Sequence, residues 1–178
     1  TYGLLTEEFP RFGISTTMAD MRDPASYEAA IQDNTKLLYI ETLTNPVLKV
    51  CDIEAMADVA KRHNLLLLID NTFASPWGCK PLDMGVDLVL HSTTKYLGGH
   101  SDILGGAVVG SKDLIAQIFM RKVHFGAAPD PHSCYLLERG MRTLDVRMPR
   151  ICENAYNLAV RLENHPAIER VYLSLIHI

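Results

Sequence analysis

The segment at residues 91–96, with the sequence HSTTKY, places one lysine between hydroxyl side chains. The amine of Lys95 could form an imine with a carbonyl group, while the hydroxyls of Ser92 and Thr94 hold a phosphate. The pair Gly98–Gly99 allows the backbone to approach a ligand closely. A lysine near serines is more often a surface lysine in a polar turn, so the interpretation depends on what surrounds this segment.

Two further polar side chains follow apolar runs earlier in the chain. Asp70 either caps the next turn or pairs with a cationic ring nitrogen, as in a site for pyridoxal phosphate (PLP). A cationic partner of this kind would keep a partly buried carboxylate ionised. Asn45 stands in the segment Glu41–Pro46, where Asn-Pro can simply form a turn. Its alternative role is to donate a hydrogen bond to the phenolic oxygen of the cofactor.

Alternating strands and helices must position these residues. Apolar runs predict four strands, and helical patterns with Asp52 and Ser111 as N-caps lie between or after them. Strands that are apolar throughout predict an α/β fold with a parallel sheet covered on both faces. Ligands bind at the carboxyl ends of such strands, which favours Asp70 and the Lys95 segment as site residues. The predicted strands are Leu37–Ile40, Leu65–Ile69, Asp87–Leu90 and Ala107–Val109.

The second half of the sequence is predicted to be helical. Asp130 followed by Pro131 is typical of a helix start, and Gly140 is expected to interrupt that helix. A longer helix is predicted from Leu144 to Leu162, with a kink at Pro149. Gly126 to Pro129 is the most linker-like stretch.

Composition excludes several classes of function. The chain has 178 residues and a net charge of −4, which gives no electrostatic reason to expect nucleic acid or a membrane surface as partner. Its four cysteines form no CxxC pair, and its seven histidines show no metal-binding spacing. We therefore expect no metal site and no disulfide framework. We expect the protein to reside in the reducing environment of the cytoplasm. The longest apolar run is far too short to span a bilayer.

Four segments of the sequence together resemble the Cys/Met-metabolism family of PLP-dependent enzymes, and they occur in the family's order. This family contains cystathionine γ-synthases, cystathionine lyases, methionine γ-lyases and O-acyl-homoserine sulfhydrylases. The resemblance runs from Thr1 to about Tyr172. The matching segments are Glu41–Pro46, Asp70–Phe73, His91–Ser101 (HSTTKYLGGHS) and Arg139–Leu144.

The resemblance implies an aminotransferase-like large domain (PLP fold type I) with a mostly parallel sheet flanked by helices. It implies PLP as cofactor and a homotetramer built as a dimer of dimers. Lys95 is then the Schiff-base lysine and Asp70 the partner of the pyridine nitrogen. Ser92 and Thr94 are expected at the phosphate, and Asn45 at the phenolic oxygen.

Both ends of the sequence depart from the family pattern. The family's ring-stacking tyrosine would lie before Thr1, and the arginine that binds the substrate carboxylate would lie after Tyr172. We therefore expect a central fragment truncated at both ends, with little or no turnover of its own. Residues 1–143 are predicted to be a partial PLP-binding domain, and residues 144–172 a connecting helix and the start of a small domain. Residues 173–178 are expected not to be native.

The resemblance favours γ-replacement on an O-acyl-homoserine by a thiol, in sulfur amino-acid metabolism. A cystathionine or methionine γ-lyase is the alternative. A non-catalytic protein that keeps the fold fits less well, because Lys95 and Asp70 are both present. Another aminotransferase-like enzyme fits less well, because the string HSTTKYLGGHS around Lys95 resembles this family's own.

Five other side chains have mainly structural interpretations. His100 either supports the glycine-rich turn or lines the site, and Trp77 is expected in the core or at a subunit contact. Arg139, Arg142 and Arg147 are expected on helix surfaces or in subunit packing.

Overall fold

A four-stranded sheet forms the centre of the chain in this computed structural model, which describes residues 1–173. The strands follow one another across the sheet in sequence order. The first three are parallel, and the fourth runs antiparallel to the third. The predicted mostly parallel sheet is therefore confirmed, with one reversed strand. The strands are β1 (Leu37–Glu41), β2 (Leu66–Asp70), β3 (Leu88–Ser92) and β4 (Gly106–Gly110).

One face of the sheet packs against a single amphipathic helix. Helix α2 begins after Asp52, whose carboxylate accepts a hydrogen bond from the backbone of Ala55, as the sequence predicts. Its apolar residues face alternate residues of the strands, because side chains in a strand point to opposite faces in turn. Each fully buried aliphatic side chain contributes about 1.5–3 kcal/mol to stability. The main contributors are Leu38, Ile40, Ile53, Met56, Val59, Leu67, Ile69 and Val89.

The other helices surround this core. Ser111 caps α4 as predicted, and Asp130 caps α5 by accepting from the backbone of His132 and Ser133. Residues 126–129, predicted to be linker-like, lie between these two helices and belong to no helix or strand. The helices are α1 (Pro24–Ala29), α2 (Ile53–Arg62), α3 (Ser75–Gly78), α4 (Lys112–Phe125), α5 (Pro131–Met141) and α6 (Leu144–Glu163).

One sequence expectation about helices differs from the structure. Gly140 does not interrupt α5, which ends one residue later at Met141. Helix α6 runs from Leu144 to Glu163 with Pro149 inside it, and the kink expected there stays a prediction. Short single turns also occur at Leu4–Glu8, Phe9–Phe12, Pro81–Met84 and Thr93–Leu97.

The sequence-based domain division stays a prediction. Of the tail expected not to be native, only Leu173 is described, and residues 174–178 lie outside the described part. Within residues 1–173, no helix combines the length and apolar character needed to cross a membrane. All four cysteines are free thiols.

Candidate functional site

The carboxyl ends of the three parallel strands meet at one edge of the sheet. Glu41, Asp70 and Ser92 are the last residues of β1, β2 and β3, and Glu41 is directly paired with Asp70 in the strand register. This edge forms one wall of an open cleft with a volume of about 1390 Å³. The cleft is lined by all five residues predicted from the sequence: Asn45, Asp70, Ser92, Thr94 and Lys95.

Thr72 joins the ends of β2 and β3. Its backbone N–H donates to Oδ1 of Asp70 at 2.9 Å, and its Oγ1 accepts from the backbone N–H of Ser92 at 2.8 Å. One residue therefore orients the Asp70 carboxylate and fixes the backbone beside the Ser92 hydroxyl. Sequence reasoning included Thr72 only as part of a family motif. Its spacing two residues after a strand-end aspartate, typical of an Asx turn, is the signal that could have found it.

A buried hydrogen-bond network holds the chain where it leaves β2. The side chain of Asn71 is fully buried and donates to the carbonyls of Ser75 at 3.2 Å and Cys79 at 3.0 Å. Its Oδ1 accepts from the hydroxyl of Thr42 at 2.7 Å. Because a buried amide without partners would be costly, these contacts specify one path for the loop that follows Asp70.

The Lys95 loop, residues 93–105, is closed at its base. The backbone N–H of Thr93 donates to the carbonyl of Gly105 at 2.9 Å. Oγ1 of Thr94 accepts from the backbone N–H of Gly105 at 3.0 Å. The same hydroxyl donates to the carbonyl of Gly105 at 3.4 Å, a long and weak bond that its hydrogen would have to leave to reach a ligand in the cleft.

The backbone of Lys95 is not helical, although the residue lies inside a short helical turn. Its backbone has φ −92° and ψ −122°, outside the helical region, inside the turn Thr93–Leu97. Its carbonyl accepts from the N–H of Gly99 at 2.7 Å. The side chain leaves the backbone at this break and lines the cleft.

Two ionisable groups near Asp70 have shifted pKa values. Burial, and second the nearby Asp70 carboxylate, raise the pKa of Glu41. Burial lowers the pKa of His91, which is only 5% exposed. Within residues 1–173, Nδ1 of His91 has no hydrogen-bond partner. His91 precedes Ser92 and so points to the opposite face of β3, towards the core and away from the cleft.

The side chains for which the sequence suggested structural roles differ in how well the structure fits those roles. Nδ1 of His100 lies 2.8 Å from the carbonyl oxygen of Gly98, which fits support of the turn. Trp77 is 38% exposed, which argues against a core position. Arg142 pairs with Glu138 on the surface of α5, at 2.6 Å, as expected for a helix-surface arginine.

Arg147 differs from the sequence expectation. Its guanidinium turns away from the helix surface, lines the cleft and donates to the carbonyl of Tyr96 at 2.9 Å. The sequence gives no signal for this contact, because the acceptor is a backbone carbonyl in a distant segment.

The polar side chains that line the cleft match the chemical groups of PLP. Covalent attachment needs an amine, which Lys95 could supply, and the ring nitrogen needs an anion, which Asp70 could supply. Asp70 accepts from the backbone N–H of Thr72 through Oδ1 and also lines the cleft. The hydroxyls of Ser92 and Thr94 could donate to the phosphate. Among residues 1–173, no group of three metal-binding side chains comes together.

Comparison with known proteins gives one consistent result. A family profile for Cys/Met metabolism PLP-dependent enzymes matches residues 1–177. The L-methionine gamma-lyase of Porphyromonas gingivalis is 45% identical over 175 residues, which are 97% of this chain and 44% of that protein. The cystathionine gamma-lyase of Bacillus subtilis is 47% identical over 173 residues, covering 97% and 46%. The probable cystathionine gamma-synthase of Herpetosiphon aurantiacus is 44% identical over 172 residues, covering 96% and 54%.

Solved structures agree with this result. Cystathionine gamma-lyase from Lactobacillus plantarum, complexed with L-serine, superposes with a TM-score of 0.93 at 46% identity, covering 96% of this chain and 45% of that one. The metB protein of Corynebacterium glutamicum gives a TM-score of 0.92 at 42% identity, covering 95% and 44%. The chain thus spans about half the length of the relatives it matches.

Proposed function

The chain belongs to the Cys/Met metabolism family of PLP-dependent enzymes, and we propose that it forms the cofactor-binding part of an enzyme acting at the γ carbon of an amino acid. The substrate class is a sulfur amino acid or an O-acylated homoserine. The observation that carries this proposal is the convergence of five side chains in one cleft: Asn45, Asp70, Ser92, Thr94 and Lys95.

Each residue has a proposed role that follows from its chemistry. The amine of Lys95 would hold PLP by bonding to its aldehyde carbon, whose oxygen would leave as water. The carboxylate of Asp70 holds the ring nitrogen in its protonated form, and Asn45 donates to the phenolic oxygen. Ser92 and Thr94 donate to the phosphate. When bound, PLP supplies an electron-accepting ring that stabilises negative charge on a substrate carbon.

Lys95 is also the proposed proton carrier. With a substrate bound, Nζ of Lys95 would take the proton from the substrate α carbon. After releasing that proton, the same amine would remove a proton from the β carbon, and the electron pair left there would expel the γ substituent. The position of Lys95 at the cleft wall, on a loop closed at Thr93 and Gly105, keeps Nζ within one small region during these transfers.

Two reactions share this machinery. Our first proposal is γ-replacement, in which a thiol adds after the γ substituent has left, as in a cystathionine γ-synthase or an O-acylhomoserine sulfhydrylase. The second is γ-elimination with hydrolysis. It has equal support, because relatives with 45% and 47% identity are named methionine gamma-lyase and cystathionine gamma-lyase. A relative named probable cystathionine gamma-synthase has 44% identity.

We also propose that the whole protein works as a homotetramer in the cytoplasm. In support, helices α4 and α6 carry large apolar side chains that are exposed within the described chain, including Phe119, Phe125, Val146 and Leu158. Sedimentation of the whole protein would test the assembly. A monomer at micromolar concentration would contradict it.

The first experiment tests the cofactor site. The purified chain is mixed with PLP, its absorbance is recorded, and the bond to lysine is reduced with borohydride before peptide mapping. We expect a band near the visible edge and a pyridoxyl group on Lys95. A label spread evenly over exposed lysines would contradict the proposed role of Lys95.

A second experiment separates the two reactions. Residues 1–173 replace the matched segment of the Bacillus subtilis cystathionine gamma-lyase, and the hybrid receives an O-acyl-homoserine with and without cysteine or sulfide. Thioether formation supports γ-replacement, whereas α-ketobutyrate alone supports γ-elimination. The same hybrid with Lys95→Ala is the control and should form neither product.

A further inference from the structure

Arg147 bridges three segments of the chain through its guanidinium. Nη1 donates to the carbonyl of Tyr96 at 2.9 Å, and Nη2 donates to the carbonyl of Gly140 at 2.8 Å. Nε donates to Oγ1 of Thr143 at 3.0 Å. All three acceptors are neutral oxygens, and Arg147 takes part in no ion pair of the described residues. The planar guanidinium of Arg147 therefore fixes the geometry of the backbone and does not neutralise a negatively charged side chain among the described residues.

Two glycines make room for this arrangement. Gly99 has φ 78°, and a Cβ there would lie 2.5 Å from Cζ of Arg147. A Cβ on Gly140 would lie 3.0 Å from the carbonyl oxygen of Leu97. The backbone of α5 thus touches the Lys95 loop directly. We name Arg147, Gly99, Gly140 and Thr143, with the Tyr96 carbonyl, the arginine clamp.

The arginine clamp acts on the peptide next to Lys95. The Lys95 carbonyl is held by the N–H of Gly99, and the following carbonyl, that of Tyr96, is held by Arg147. Both carbonyls follow the non-helical break at Lys95, where ψ is −122°. Because both peptides that follow the break are fixed, the direction in which the Lys95 side chain leaves the loop is fixed as well.

We infer that Arg147 is a positioning residue, which aims the amine of Lys95 into the cleft for covalent attachment of the cofactor. This inference rests on the proposed function of Lys95. Arg147 itself does not touch the reacting atoms in this scheme. Its contribution passes through the Tyr96 carbonyl and through the contact of its guanidinium with Gly99.

The test compares variants of the 178-residue chain without any measurement of turnover. Arg147→Lys keeps the charge but cannot reach three acceptors at once, and Arg147→Met removes all of them. Arg150→Met is the matched control, because Arg150 lies on the same helix and contacts only the exposed Glu153. After reaction with PLP and borohydride, the label on Lys95 is divided by the label on Lys112, an exposed lysine of α4.

We expect this ratio to fall about tenfold in Arg147→Lys, the effect of losing a charge-assisted hydrogen bond. Arg150→Met should match the unmodified chain. Circular dichroism and thermal melting of each variant show whether it is folded, and Arg147→Lys provides the comparison if Arg147→Met unfolds. A general loss of structure would lower the melting temperature of Arg147→Lys and expose all lysines alike.

The outcomes separate the inference from the proposed function. If the unmodified chain shows no preference for Lys95, the proposed function fails and the inference fails with it. If the unmodified chain prefers Lys95 and folded Arg147→Lys keeps the same ratio, only the positioning role is wrong. A lowered ratio in folded Arg147→Lys, with Arg150→Met unchanged, supports the inference.

Discussion

The sheet region, residues 37–110, and the helical region, residues 112–163, bury their residues to very different extents. Strands β1 to β3 and helix α2 share one continuous core. Helix α4 has no buried residue, α5 has only Gly140 and α6 has only Met148. The sheet region therefore carries its own stability, whereas much of the apolar surface of the helical region is uncovered in the described chain.

This difference shows where the two regions depend on each other. Among the described elements, α5 and α6 meet the rest of the chain at the Lys95 loop and at α3. Gly140 is buried because its backbone touches Gly98 and Leu97. Helices α5 and α6 are thus attached to the sheet region largely at the candidate site, whereas α4 packs against β4. Changes in the two regions should have separable effects.

The largest expected effect is chemical and confined to the sheet region. Lys95→Ala should abolish specific attachment of PLP, because it removes the lysine amine that lines the cleft. Lys112→Ala, in the helical region, should leave attachment unchanged. Borohydride trapping with peptide mapping measures both. Equal losses in the two variants would mean that attachment is nonspecific.

Substitution of a large apolar side chain should lower the free energy of unfolding much more in the sheet region than in the helical region. Leu67→Ala, at a fully buried position in β2, should lower the free energy of unfolding by about 2–5 kcal/mol. Leu158→Ala, at a position 57% exposed in α6, should lower it by less than about 0.5 kcal/mol. Urea unfolding followed by circular dichroism gives both values. A large loss in Leu158→Ala would show that α6 is covered in solution.

Removal of the Asp70 charge should weaken cofactor binding without unfolding the chain. Asp70→Asn keeps an oxygen to accept from Thr72 but loses the anion that is proposed to pair with the ring nitrogen. We expect the dissociation constant for PLP to rise about 10–100-fold, the value of a charge-assisted hydrogen bond. Asp145→Asn, at the start of α6, is the control with unchanged affinity. An absorbance titration with PLP provides the measurement.

The smallest expected effect is the pH dependence contributed by His91. Burial lowers its pKa below the ordinary value of 6.5, so between these two values the unfolded chain binds a proton that the folded chain does not. Its contribution to stability is complete above pH 6.5 and is lost as the pH falls from there towards the lowered pKa. Melting temperatures between pH 8 and pH 5 should therefore fall less steeply in His91→Leu.

The control for this effect lies in the helical region. His132 is exposed on α5, and His132→Leu should leave the slope of melting temperature against pH as it is in the unmodified chain. An unchanged slope in His91→Leu would show that other groups determine the acid sensitivity of the chain.

Much of the sheet region could be predicted because its residues carry local signals. The apolar runs at Leu37–Ile40 and Leu65–Ile69 and the cap at Asp52 all occur as predicted. The direction of β4 could not be predicted, because an apolar run indicates burial and not orientation. Placement of five site residues in one cleft followed from a general rule about strand ends and from the family's motifs.

The arginine clamp shows what remained beyond sequence reasoning. Arg147 is one of several arginines in a helical pattern, and nothing in its neighbours distinguishes it from Arg142 or Arg150. Its acceptors include the backbone carbonyls of Tyr96 and Gly140, which any residue types could supply. Contacts from side chain to distant backbone leave no pattern in a single sequence, so only the structure reveals them.

The reversed direction of β4 bears on the order of folding. Because β4 runs back beside β3, the paired residues Ser92 and Gly106 lie close together in the sequence. The paired residues Leu37 and Leu66 of β1 and β2 lie farther apart. The entropy lost in closing a loop grows with its length, and pairings close in sequence form fastest. The β3–β4 unit is therefore expected to form early. The lysine-bearing loop would then take shape before the parallel strands that complete its cleft.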